Sequence, residues 1–152
     1  MFKGGGFSQN IGAAVSAAAV MVNGNAIFTI TGGPILVEQL QSVCISANDI
    51  TASTLQYSST PTVGSAKTFS GASASLASAT AGTTVTLNST ALTTAPDIVT
   101  AANGGIPTGA AVANRFIVQA GTITVVIGIG STTGTWKHYL SYLPLAPGVT
   151  VS

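Results

Sequence analysis

Charge is the scarcest commodity in this sequence. Only Lys3, Lys67, Arg115, Lys137, Glu38, Asp49 and Asp97 are ionised at neutral pH, 5% of the 152 residues. Ordinary soluble domains carry about 25%. The net charge is +1, with no basic or acidic run. Gripping a phosphate backbone takes several Lys or Arg together, so nucleic acid is not an expected partner. Cys44 stands alone. One cysteine cannot close an internal disulfide or supply a cysteine-based metal site. A small buried apolar side chain is its expected role, over a reactive thiol. The Ile11–Val22 run has twelve residues. A helix needs about 20 to span a bilayer, and no other stretch looks transmembrane.

What is abundant is small and neutral: 16 Ser, 22 Thr and 23 Ala. The surface must therefore be made of hydroxyls, amides and short side chains, which repel one another only weakly. That suits a protein held in an assembly or displayed repetitively. The length fits one domain able to bury a core.

The chain reads as short β-segments divided by Gly, Pro, Asn and Ser. AIFTIT (Ala26–Thr31) alternates and stops at Gly32-Gly33-Pro34. Ile35–Ala47 is one long strand, or two that break near Glu38–Gln41. Ile50–Tyr57 follows an Asn48-Asp49 turn. Ser58–Pro96 is almost wholly Ser, Thr, Ala and Gly, but it lacks the charge of disordered chains. Within it Thr83–Asn88 alternates, and β-branched Thr suits a half-buried pleat. Short strands follow at Asp97–Ala101 and Arg115–Ala120. Thr122–Gly130 places Ile123, Val125, Ile127 and Ile129 on one face. Ser131–Gly134 reads as a hairpin turn returning into Thr135–Leu145. With no helical periodicity and no long repeat, the fold class is all-β: a jelly-roll-like antiparallel β-sandwich over residues 23–152. Residues 1–22 are an extended N-terminal arm and lead-in. Met1–Asn10 is expected to be flexible, and Ile11–Val22 a first strand, a short helix or a poor signal peptide.

Candidate chemistry is thin. Strand periodicity turns Trp136, His138, Leu140 and Tyr142 to one face. His138 could act as a general base or a metal ligand only with partners that one Cys, one Glu and two Asp barely supply. A core or interface histidine is the expectation. No nucleophile elbow, paired-carboxylate motif or phosphate loop appears. No catalytic residue, metal or cofactor is therefore expected. Phe2 and Phe7, with Lys3 between them, sit in the arm. Such an arm either folds back on its own domain or grips a neighbour.

Several phrases resemble a known family. These are IFTITGGPILVEQLQS with its Thr31-Gly32-Gly33 step, then Gly121-Thr122-Ile123, Gly134-Thr135-Trp136 and Tyr142-Leu143-Pro144-Leu145. Across Ala26–Val151 the texture is similar to that of head decoration, or cement, proteins of tailed bacteriophages. The resemblance implies a homotrimer on the outer capsid surface of the virion. Its partner would be the major capsid protein, whose neighbouring subunits it clamps, with no membrane and no catalytic residues. The low charge departs from what an exposed virion surface usually shows. A tail-fibre or tail-tip module binding host surface or glycan is the alternative, followed by a secreted adhesin or pilus-like subunit, then an enzyme.

Overall fold

The computed structural model describes residues 11–87, 97–99 and 115–152. Phe2, Lys3 and Phe7 lie outside the described residues, as does the rest of Met1–Asn10. Among the described residues there are strands and turns but no helix. The strands are β1 (Gly12–Val15), β2 (Ala19–Val20), β3 (Ala26–Thr31), β4 (Ile35–Cys44), β5 (Thr54–Pro61) and β6 (Lys67–Thr68). They continue as β7 (Thr84–Leu87), β8 (Asp97–Val99), β9 (Phe116–Val118), β10 (Gly121–Gly128), β11 (Thr135–Pro144) and β12 (Thr150–Val151).

Two antiparallel sheets pack face to face. The larger runs β1-β11-β4-β7-β8, with β2 also on β11 and β9 also on β4. The smaller runs β12-β3-β10-β5-β6. Take β1, β3, β4, β5, β6, β7, β10 and β11 in chain order. The first, eighth, third and sixth form one sheet; the second, seventh, fourth and fifth form the other. That interleaving is the jelly roll. The lead-in belongs to the fold, because β1 and β2 line up along β11.

The core follows from strand alternation. β11 turns Trp136, His138, Leu140 and Tyr142 inward, all buried. Leu140 lies beside Leu40, which lies beside Leu87. From the facing sheet come Phe28, Ile30, Leu55, Tyr57, Ile123 and Val125, each almost wholly buried. Burial of such apolar surface, at about 25 cal/mol per Å², is the main force holding the layers together.

The structure corrects several expectations. Ile35–Cys44 is one strand, and the suspected break is a bulge: Ser141 pairs with Gln39 and Tyr142 with Val37, leaving Glu38 over. The strand expected from Ile50 begins only at Thr54. Asp49 Oδ1 accepts the Thr51 amide at 2.8 Å, a side-chain-closed turn that holds the preceding residues out of the ladder. Ile50 is consequently 86% exposed. Ser131–Gly134 is not a hairpin turn, because β10 and β11 lie in different sheets. Ile129 and Gly130 both take positive φ, 59° and 76°. This turns the chain out of the smaller sheet and across the end of the sandwich. Ile129 therefore leaves the face it was expected to share with Ile127 and is 70% exposed.

The Ser-rich segment has an ordered role. After β6, Phe69–Leu76 runs beside the outer edge of β5. The Phe69 and Ser73 amides donate to the Tyr57 and Leu55 carbonyls at 3.0 and 2.8 Å. The Tyr57 and Leu55 amides donate to the hydroxyls of Ser70 and Ser73, both at 2.9 Å. Serine side chains thus stand in for the carbonyls of a missing strand, and Phe69 and Leu76 drop into the core.

Candidate functional site

The only polar cluster that could suggest chemistry among the described residues surrounds His138. On the inner face of β4, Ser42 occupies the inward position between Leu40 and Cys44, next to His138 on β11. Its hydroxyl lies 2.6 Å from His138 Nδ1 and 2.7 Å from the Tyr57 hydroxyl of the facing sheet. Tyr57 in turn donates to the Val85 carbonyl at 3.4 Å. The chain of contacts crosses the core from one sheet to the other.

Its electrostatics are those of a neutral brace. Burial pushes the His138 pKa down to about 4 and the Tyr57 pKa well up. A serine beside a histidine is the start of a nucleophile–base pair, but the third member here is a phenol. Among the described residues no carboxylate steadies an imidazolium. Asp49 is held at its own turn by Thr51, whose amide lowers its pKa. Glu38 is bound to Arg115 at 3.0 Å. A base with a pKa near 4 is mismatched to proton abstraction at neutral pH, and Ser42 is fully buried. A cleft of about 330 Å³ between the β1–β2 edge and β3 reaches His138; Met21, Asn25 and Val125 also line it. Among the described residues no three His, Cys, Asp or Glu come together as a metal site. Cys44 is buried, and burial raises its thiol pKa away from reactivity.

A second polar node closes one end of the sandwich. Asn48 donates to the Leu76 carbonyl at 3.0 Å. Its Oδ1 accepts the Gly134 amide at 2.9 Å and the Trp136 indole N–H at 3.3 Å. Gly134 has no room for a side chain, since a Cβ there would strike the Ser46 carbonyl and Asn48. The Gly134-Thr135-Trp136 phrase therefore works as the docking strip for Asn48. Sequence reasoning placed Asn48 in a turn and missed this role.

Elsewhere, several large apolar side chains stand exposed on a surface with few charges. Ile50 and Ile129 project at one end and Val63 at the other, all at least 70% exposed. Ile11, Val15, Val20 and Val22 are exposed along the β1–β2 edge. No protein-family model, curated protein or solved structure matches this chain.

Proposed function

We propose that this protein is a structural component of a phage particle, binding the outer surface of the capsid and stabilising the mature lattice by clamping neighbouring capsid subunits. The reading rests on the resemblance above. One structural observation carries it further: more large apolar side chains are exposed than there are charged residues in the whole chain. Scattered single apolar residues are ordinary on a protein surface. Here they stand on a surface with almost no charge around them, which suits contact with other subunits better than isolation in water. The interior polar groups support a non-catalytic role, because His138, Ser42 and Tyr57 are occupied with one another.

The mechanism is linkage. A protein that binds the expanded lattice and not its precursor favours the expanded state by mass action. Several weak contacts made by one assembled unit reinforce each other through effective concentration. The test is copy number in purified particles, by quantitative mass spectrometry against the major capsid protein. A ratio near one to one is expected. A handful of copies would contradict lattice binding and place the protein in the tail; absence from particles would overturn the virion reading.

A further inference from the structure

The β1 edge is an open strand edge among the described residues. β1 pairs with β11 on one side and with no described strand on the other. Half of its backbone N–H and C=O groups therefore point away from the sheet. Proteins usually guard such an edge with Lys, Pro, an inward charge or a covering loop. The edge of the smaller sheet has its Ser70–Ser73 cover. The stretch Ile11–Val22 has no charge and no proline. It also holds Ile11 at 68% and Val15 at 57% exposure.

We propose that the β1 edge pairs with the β1 edge of a second copy of this chain, antiparallel about a two-fold axis, joining the two larger sheets into one. The register follows from which residues face out. Ala13 and Val15 sit beside Ser141 and Tyr139 on the outer face, while Ala14 sits beside the buried Leu140. Paired residues must point to the same side of a continuous sheet, so odd positions meet odd positions. Centring the pair on Ala13 sets Ala13 against its own copy and Val15 against Ile11 of the second chain, twice. Both exposed aliphatics are then covered together. On the inner side Ala14 meets Gly12, which lies under the Tyr142 ring and could not carry a Cβ without displacing it. The edge is self-complementary because nothing on it repels its copy. Lys137, the nearest charged residue in the sheet, is on β11 and is separated from its copy by both β1 strands, about 14 Å at the usual strand spacing. That exceeds the screening length of about 8 Å in physiological salt.

The contact belongs to the purified chain alone, so its failure leaves the capsid reading standing, and the reverse also holds. The test uses cysteine pairs. Opposed residues in an antiparallel pair bring their β-carbons to about 4.5–5.5 Å, close to disulfide reach. Ala13→Cys is expected to form a covalent dimer under mild oxidation. Ile11→Cys and Val15→Cys are each expected to stay single and to link when mixed. Native Cys44 is buried and does not compete. In sedimentation velocity, Val15→Lys should shift the assembly to smaller species, while its thermal unfolding in protein dilute enough to dissociate both stays that of the parent. The proposal is overturned if Ala13→Cys does not link, if Ile11→Cys links to itself as readily as to Val15→Cys, or if Val15→Lys leaves the assembly unchanged.

Discussion

Two of the outer edges of this sandwich solve the same problem in opposite ways. At β5, the amides of Leu55 and Tyr57 are capped by the hydroxyls of Ser73 and Ser70, and the covering segment sends Phe69 and Leu76 into the core. At β1, a strand of four small residues, Gly-Ala-Ala-Val, carries no cover among the described residues. Both stretches look alike by composition: small, neutral and rich in Ala. The difference lies in hydroxyl placement. A serine side chain can satisfy a strand amide, and an alanine cannot. Where serines fall at Ser70 and Ser73 the edge is sealed within the chain; where alanines fall at Ala13 and Ala14 it is left for another chain.

Substitutions can break this contrast from either side. The largest effect is expected at Asn48, which ties the end of the sealing segment to the β10–β11 crossing. Asn48→Ala strands the Gly134 amide and the Trp136 indole N–H, while the Leu76 carbonyl keeps the Ala79 amide. Each buried group left unpaired costs about 1–3 kcal/mol, so a loss of about 4 kcal/mol is expected in urea unfolding.

Next comes acid. The fold depresses the His138 pKa from 6.5 to about 4 by burial. The unfolded chain takes up a proton as pH falls through 6.5, and the folded chain does not until about 4. This contribution is therefore whole above 6.5 and lost as pH drops toward 4, by about 3 kcal/mol. His138→Gln should flatten that part of the stability–pH curve. A curve of unchanged slope would remove His138 as its cause.

A smaller loss is expected from Ser73→Ala, which leaves the Leu55 amide without its acceptor and should cost about 2 kcal/mol. Calorimetry of this variant tests whether the hydroxyl is a structural acceptor. A change under about 0.5 kcal/mol, the usual range for surface substitutions, would mean that it is not. The smallest effect on folding, within that same margin, is expected from Val15→Lys on the open edge. The contrast between these last two, both beside a sheet edge but one buried and bonded and the other exposed, is the sharpest single check.

Much of the architecture was legible because alternation is local. AIFTIT gave β3 with its expected bounds, and the inward set Trp136, His138, Leu140 and Tyr142 stands as periodicity placed it. What escaped depended on partners distant in sequence. The Ser131–Gly134 segment has the composition of a hairpin turn, but the positive φ at Ile129 sends it between sheets. The serines of the low-complexity stretch became acceptors only once Ser70 and Ser73 met β5. Ser42 was findable in principle: it falls at the inward position of an otherwise apolar strand, where a hydroxyl needs a partner. The expected site residues Phe2, Lys3 and Phe7 lie outside the described residues.

The most direct test of the two-edge account is amide hydrogen exchange, read residue by residue over a range of protein concentrations. The account predicts that the Leu55 and Tyr57 amides exchange slowly at every concentration, sealed by Ser73 and Ser70. It predicts that the outward-facing amides of Gly12–Val15 exchange fast in dilute protein and gain protection as concentration rises. Fast exchange at Leu55 and Tyr57, or exchange along β1 that ignores concentration, would contradict it.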